Sequence, residues 1–177
     1  MAWRNDDLIL FHGCSDQSLR PQNPAGIAVG MAAHGINPLM GAKKPDFGPG
    51  FYTTTWFDQA RSWANLRVRK LAKRSPGARA VVLQIDMRRN DLADLEALVF
   101  TNERVGYWPF VRYCRQGGSP HARTGVPQTA YDVVYGPVSL GRQEFIVKDS
   151  DQVSFHTSGS VARIPMVTIA AIGNPLL

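Results

Sequence analysis

The chain has 177 residues, of which 44% are hydrophobic and 19% are charged, a composition typical of a globular protein with one core. Its apolar run at the N-terminus is too short for a signal peptide or a membrane span, and its net charge of +6 favours an anionic partner. We therefore expect a single domain over residues 1–177 with no membrane partner, in the cytoplasm or delivered into a target cell without a cleaved signal.

The cysteine and histidine content excludes two further classes of protein. Cys14 and Cys114 are too few for a disulfide framework, and neither they nor the four histidines have zinc-ligand spacing. The chain also contains no G-x-G-x-x-G loop, no G-x-x-x-x-G-K-[ST] loop and no H-E-x-x-H sequence. No metal site is predicted.

The first predicted element is a buried strand over 8–14, where an apolar run ends at His12 and Gly13. Residues 16–44 are rich in glycine and proline, which predicts a long loop with one helical turn near 30–34. Polar residues at a strand end usually face a cleft or solvent, so His12 and Gly13 are candidates for ligand contact.

The stretch 46–66 reads DFGPGFYTTTWFDQARSWANL and contains a tight turn at 48–50, followed by a short strand over 51–54. Thr55 and Asp58 resemble a capping box, which predicts a helix that ends before Ser75-Pro76-Gly77. Its apolar positions recur at helical spacing: Phe57, Ala60, Ala64, Val68 and Leu71.

The middle of the chain predicts a strand and two helices. The β-branched content of 80–86 favours a strand, and Asp91 is the predicted cap of a short helix over 92–99. The segment 107–115 predicts an amphipathic helix with Pro109 near its start.

The last third of the chain predicts strands. One spans 131–138 and turns at Gly136-Pro137, a second begins after Glu144, and a third covers 152–157. The tail from Val161 adds one more strand. Glu144 is thus a carboxylate at the head of an apolar strand.

Four stretches in order, namely HG, GPGFYTT, QARSWA and QEFIVKDSDQV, resemble the NAD-binding corner of the ADP-ribosyltransferase superfamily on its poly(ADP-ribose) polymerase side. The chain is most similar to small bacterial members formerly classed as a domain of unknown function (DUF3990-like). The resemblance covers about residues 8–157. It implies an α+β fold in which split sheets with flanking helices surround an NAD cleft.

The resemblance also implies site residues, which form a His-Tyr-Glu triad with its neighbours. In that family the histidine bonds the adenosine ribose, the glycine backbone pairs with the nicotinamide carboxamide, and two aromatic rings cover the nicotinamide. The matching positions here are His12, Gly13, Tyr52, Trp63 and the catalytic carboxylate Glu144, with Thr53 beside the tyrosine. Gln152 is the alternative for the third triad place.

The chain departs from the family pattern at two positions. Ala60 stands where a serine often bonds the carboxamide, so Thr53, Thr54 or backbone groups would serve instead. Arg142 stands where arginine-modifying members carry a second glutamate, which argues against arginine as the acceptor. Arg142, Gln143 and Gln152 are the expected acceptor contacts. Donors to the diphosphate remain open between Arg20, Lys43, Lys44 and backbone amides.

The ADP-ribosyl transfer that the resemblance implies requires a fixed carboxylate. Breaking the nicotinamide–ribose bond leaves positive charge on the ribose, which Glu144 would stabilise. The expected function is therefore transfer of one ADP-ribose from NAD+, used as a substrate, to a macromolecular acceptor, without a metal. Alternatives are an NAD+ glycohydrolase, an NAD-dependent RNA 2′-phosphotransferase and a non-catalytic module that binds NAD or ADP-ribose.

The acceptor is expected to be a nucleic acid slightly ahead of a protein. A run of cations follows Trp63 on the predicted helix, although a solvated helix face explains such a run as well. These cations, with one that precedes Trp63, are Arg61, Arg67, Arg69, Lys70, Lys73 and Arg74. Small members of the family are often toxins or effectors, which implies an antitoxin or immunity protein as a further partner.

Overall fold

The computed structural model describes residues 7–19, 36, 38, 45–118, 131–140 and 144–177. The described residues form three α-helices and two β-sheets, a mixed architecture that agrees with the expected α+β class. The chain divides into two compact units: the first holds Met1–Ile36, Thr53–Ala93 and Ala162–Leu177, and the second holds Asn37–Tyr52 and Asp94–Val161.

The first unit is built on a three-stranded sheet in the order β1-β3-β7, with both pairings antiparallel. Every side chain of the central strand is buried except Gln84, which is half-buried, and Asp86, which is exposed. A strand buried on both faces favours the β-branched run seen there. The strands are β1 (Leu8–Ser15), β3 (Ala80–Met87) and β7 (Val167–Gly173).

Helix α1 (Phe57–Leu71) packs against β1 and β3 of this sheet. Ala60, Ala64 and Val68 recur every four residues and are buried, which confirms the predicted apolar face. The two alanines let the helix approach very closely, and a Cβ atom on Gly13 would lie 2.0 Å from the Ala60 carbonyl oxygen. Only glycine fits at that point of β1.

The predicted cap of α1 is wrong by one residue. Trp56 occupies the N-cap position and makes no side-chain capping bond, whereas Thr55 lies outside the helix. The Trp56 amide instead donates to the Thr54 hydroxyl at 3.1 Å. Thr54, rather than the predicted Thr55, therefore provides a hydrogen-bond acceptor at the N-terminus of α1.

The second unit contains a four-stranded sheet in the order β2-β6-β5-β4 and the helix α2 (Tyr107–Arg115). Strands β5 and β6 are antiparallel, and β4 runs parallel to β5. The strands are β2 (Phe51–Thr53), β4 (Ala97–Val99), β5 (Val133–Leu140) and β6 (Phe145–Phe155). A short helix, α3 (Ser158–Ala162), follows β6.

Aromatic rings fill the core of this unit. Phe100 and Tyr107 meet edge to face with ring centroids 5.4 Å apart, and Phe47 meets Tyr107 in the same way at 6.1 Å. Gly136 leaves room for them, since a Cβ atom there would lie 3.0 Å from the Phe47 ring. Tyr107 of α2 is fully buried in this core, whereas Tyr113 of the same helix is exposed.

Two predicted elements are wrong because hydrogen bonding between strands outweighs the local sequence pattern. The helix expected over residues 92–99 is absent: Asp91 lies inside a 3-10 turn, Arg89–Leu92, and the leucine-rich segment after it forms β4, which pairs with β5. The turn expected at Gly136-Pro137 is absent as well. β5 continues through it with a register shift between Pro137 and Ser139, where proline cannot donate to the ladder.

The two strands expected around residues 145–157 are one strand, β6, in which Asp149 has a positive φ of 53°. The predicted tail strand is present as β7. Most of the predicted loop over 16–44, with its helical turn, lies outside the described residues.

Both cysteines are free and buried. Burial raises the pKa of Cys14 to about 12, and burial likewise raises the pKa of Cys114 to about 12. Within the described ranges, no helix combines the length and the apolar character that a membrane crossing needs.

The contact between β1 and α1 gives a test of the fold. Gly13→Ala should destabilise the chain by roughly 1–3 kcal/mol, because the added methyl group overlaps a backbone oxygen that cannot move without shifting the helix. Urea unfolding monitored by circular dichroism measures this change. Gly159→Ala is the control, since its Cβ atom would meet only the Thr157 hydroxyl at 3.8 Å, and equal stability of the two variants would contradict the packing.

Candidate functional site

His12 lies in the middle of β1, where it shares a sheet face with Leu10 and Cys14. Both neighbours are buried and His12 is half-buried. The opposite face of β1 is the one that α1 covers, because Phe11 packs edge to face against Phe57 of the helix at 5.5 Å. The imidazole therefore leaves the sheet on the side away from α1.

The backbone of Gly13 faces the outer edge of β1. Two residues earlier, the Phe11 amide and carbonyl bond Thr54 at 2.7 and 2.9 Å, so they point away from β3. Backbone direction repeats every two residues along a strand, and the Gly13 amide and carbonyl therefore point the same way. No residue in the described part of the chain bonds them on that side.

The side chains considered for the nicotinamide carboxamide, those of residues 53, 54 and 60, are buried or already hydrogen-bonded within the protein. Ala60 is buried beneath β1, and Thr53 is buried in β2. The Thr54 hydroxyl accepts the Trp56 amide, as described above. Backbone groups of Gly13 are thus better placed than a threonine hydroxyl to meet a ligand amide in this unit.

Trp63 lies on α1 and is 48% exposed, so it does not belong to the core. Arg67 and Lys70 follow it by four and seven residues, which places them on the same side of the helix. Arg61 lies on another side and pairs with Asp58 at 3.1 Å. The basic run is therefore split, and only part of it accompanies Trp63.

The hydroxyl group of Tyr52 is fixed by the turn that precedes it. It donates to the Gly48 carbonyl at 2.7 Å and accepts the Phe47 amide at 3.0 Å. The ring meets His156 edge to face at 6.3 Å. Burial raises the pKa of Tyr52 well above its usual value, with nearby Asp46 raising it further, so the hydroxyl stays neutral and keeps both bonds.

The Asp46 carboxylate is the centre of a buried polar cluster in the second unit. Arg115 donates to one oxygen at 2.6 Å, and Ser139 donates to the other through its amide at 2.8 Å and its hydroxyl at 2.9 Å. Gln152 donates to that second oxygen at 3.0 Å and to the Pro137 carbonyl at 2.9 Å. Only 7% of Asp46 is exposed.

Sequence reasoning missed Asp46 as a functional candidate, although it begins the DFGPG turn that the pattern singled out. Its partners come from distant positions, and nothing in their local pattern marks them. Gln152, in contrast, is a sequence-predicted candidate for the third triad place. Both hydrogens of its amide are used in bonds to Asp46 and to the Pro137 carbonyl.

Glu144 immediately precedes β6, and its side chain is 53% exposed. It forms an ion pair with Arg112 of α2. The other predicted residues near it, Arg142 and Gln143, lie outside the described residues. So do the cations considered for the diphosphate, Arg20, Lys43 and Lys44.

The predicted site residues are thus distributed over both units. His12, Gly13, Thr53 and Trp63 belong to the first, whereas Tyr52, Glu144 and Gln152 belong to the second. Among the residues that the structure describes, no three His, Cys, Asp or Glu side chains are grouped so that they could hold a metal ion.

A family model matches this chain over residues 34–141, and its description is protein of unknown function (DUF3990). The match covers more than half of the chain, so the chain belongs to this family. The predicted similarity to DUF3990-like members is thereby confirmed. The match includes Asp46, Tyr52 and Trp63, and ends before Glu144. No curated protein matches the chain.

The two residues predicted for the third triad place differ in their surroundings, which gives a stability test. Gln152→Ala should cost about 1–3 kcal/mol, because it removes two hydrogen bonds inside the unit, one to Asp46 and one to the Pro137 carbonyl. Glu144→Gln should change stability by less than about 1 kcal/mol, since an exposed ion pair contributes little. Thermal unfolding of both variants measures the difference, and the reverse order of their melting temperatures would contradict it.

Proposed function

We propose that this member of the DUF3990 family is a mono-ADP-ribosyltransferase that cleaves NAD+ and moves its ADP-ribose to a macromolecular acceptor. The fold would then be an ADP-ribosyltransferase-like arrangement of split sheets with flanking helices around an NAD cleft. The observation that carries the proposal is the outward-facing amide and carbonyl of Gly13 on the edge of β1.

A carboxamide is the group that such an edge recognises best. It presents an N–H donor and a carbonyl acceptor side by side, which is the pair that a neighbouring strand would offer to Gly13. A side chain at this position would be directed into α1, where there is no room for one. Nicotinamide carries a carboxamide, and the pairing would fix its ring in one orientation.

Two aromatic residues suit the nicotinamide ring itself. Tyr52 is half-buried, and its hydroxyl both donates and accepts a hydrogen bond, so its ring is held in one position. Trp63 is 48% exposed, so part of its side chain is accessible to a ligand. Stacking of an aromatic ring on the nicotinamide would orient it as a leaving group, which is the contribution that positioning makes to catalysis.

Glu144 supplies the charge that the reaction needs. When the nicotinamide–ribose bond breaks, the electron pair leaves with nicotinamide and the ribose carbon becomes positive. A carboxylate beside it stabilises that charge only in the transition state. The acceptor then forms a bond to the ribose carbon and loses its proton, for which Glu144 is the expected base.

The surroundings of the two residues considered for the third triad place favour Glu144 over Gln152. Gln152 is neutral, 8% exposed and committed to Asp46 and Pro137. Glu144 is exposed, and its bond to Arg112 is a surface ion pair of the kind that costs at most about 1 kcal/mol to break. A substrate can therefore displace Arg112 at little cost.

The remaining functions are distinguished by what receives the ADP-ribose. Water would make the protein an NAD+ glycohydrolase, and a 2′-phosphorylated RNA would make it a phosphotransferase. A binding module would cleave nothing. The exposed cations on the Trp63 side of α1 favour an anionic macromolecule, with nucleic acid ahead of protein. If the activity is toxic, an antitoxin or immunity protein is the expected partner.

Glu144→Gln should lower the rate of nicotinamide release by about a hundredfold or more and leave NAD+ affinity nearly unchanged, because the lost charge acts on the transition state. Chromatography of released nicotinamide and calorimetry with NAD+ measure the two quantities. Glu103→Gln, an exposed carboxylate in the same unit, is the matched control. Full turnover by the Glu144 variant would refute its role.

The acceptor can be identified by incubating the protein with labelled NAD+ and a cell lysate. We expect nuclease to release label from the high-molecular-weight fraction, because the cations beside Trp63 favour phosphates. Label that only protease releases would overturn the preference for nucleic acid. Free ADP-ribose without any labelled polymer would indicate the glycohydrolase.

Charge reversal on α1 sharpens that experiment. Arg67→Glu with Lys70→Glu should abolish labelling of the polymer while nicotinamide release persists. Arg61→Glu with Arg69→Glu produces the same change in net charge away from the Trp63 side of the helix and should retain more labelling. Equal effects of the two pairs would show that only net charge matters.

A further inference from the structure

The turn that leads into β2 is held at three consecutive residues by buried polar groups of the second unit. Tyr52 bonds the Phe47 amide and the Gly48 carbonyl through its hydroxyl. His156 bonds the next carbonyl, that of Pro49, through Nδ1 at 2.7 Å. A carbonyl oxygen only accepts, so Nδ1 carries the hydrogen.

Asp46 begins this turn and ties it to β5, β6 and α2. Its four donors come from Arg115, from the amide and hydroxyl of Ser139, and from Gln152. Arg115 also donates to the Ser139 hydroxyl at 2.8 Å, so the cluster is connected within itself. Moving Asp46 would break contacts to three separate elements.

Aspartate suits this position because an ionised carboxylate only accepts hydrogen bonds, and all four groups around it are donors. The charge of Arg115 compensates the buried negative charge. Asparagine has the same shape, but its amide nitrogen would face a donor. Serine or alanine would leave several donors without an acceptor.

The position of Tyr52 follows from that of the turn. Its hydroxyl is bonded to the two residues that immediately succeed Asp46, so a shift of the turn must move the ring or break both bonds. His156 is 1% exposed, and a Cβ atom on Gly50 would lie 2.7 Å from its Nδ1. The turn is therefore confined from that side too, and Asp46 is its main electrostatic anchor.

We propose that Asp46 is a positioning residue for the nicotinamide site, acting through the turn that holds Tyr52. This inference rests on the proposed function in so far as Tyr52 is assigned to nicotinamide. Asp46 touches no substrate in this account. Its role is to hold an aromatic ring in the orientation that stacking requires.

The test compares the full chain with its Asp46→Asn variant in two measurements. The first is the NMR signal of the Tyr52 ring in chains with labelled tyrosine, assigned among the five tyrosines by Tyr52→Phe. The second is the affinity for nicotinamide by calorimetry. We expect the Tyr52 signal to move and nicotinamide affinity to fall about tenfold, as loss of buried charged hydrogen bonds predicts.

Asn65→Ala is the control for a general loss of stability. Asn65 bonds the amide and the carbonyl of Leu176 at 2.9 Å each, within the first unit. That variant should lower the melting temperature but leave the Tyr52 signal and nicotinamide affinity unchanged. If Asp46→Asn does not fold, Ser139→Ala replaces it, since this change removes one donor and keeps the pair between Asp46 and Arg115.

The outcomes separate the inference from the proposed function. An unchanged Tyr52 signal in the folded variant overturns the positioning role, whatever the chain binds. A moved signal with unchanged nicotinamide affinity overturns the link between the turn and the ligand. If the unmodified chain itself binds neither nicotinamide nor NAD+, the proposed function fails, and the nicotinamide part of this inference fails with it.

Discussion

The close approach of β1 to α1 at Gly13 is the constraint on which the first unit depends. At Ala60 and Ala64 the helix comes so close to β1 that the strand has no room for a side chain there, and a Cβ atom at Gly13 would lie 2.0 Å from a helix carbonyl oxygen. Gly13 also presents its amide and carbonyl to the edge of β1 that is not paired with β3. One residue thus satisfies a packing requirement and supplies a pair of groups suited to a carboxamide.

The second unit depends on charge rather than on close packing. A buried carboxylate is costly unless donors surround it, and Asp46 has donors from α2, β5 and β6. The ion pair of Glu144 differs in kind, because both of its side chains are more than half exposed. The unit therefore combines a fixed anchor beneath the turn with an exposed carboxylate whose ion pair can be broken at little cost.

The local sequence pattern correctly predicts the elements with a strong apolar or β-branched signal, such as β1, β3 and the buried face of α1. It failed where partners distant in sequence decide the structure. Residues 97–99 have helical spacing but form a strand because β5 offers them a parallel partner, and Pro137 stays within β5 because the register shifts around it. The candidate site shows the same limit: His12, Tyr52 and Glu144 stand out in the sequence, whereas Asp46 and His156 matter through contacts that no spacing reveals.

The central claim is that the edge of β1 at Gly13 recognises the carboxamide of nicotinamide. Titrating nicotinamide into the chain with 15N-labelled glycine tests it most directly, because the Gly13 amide reports its own hydrogen bond. The account predicts a saturable shift of the Gly13 signal, which is larger with nicotinamide than with nicotinic acid, whose carboxylate offers no donor to the glycine carbonyl. Saturable binding of nicotinamide that leaves the Gly13 signal in place would contradict it.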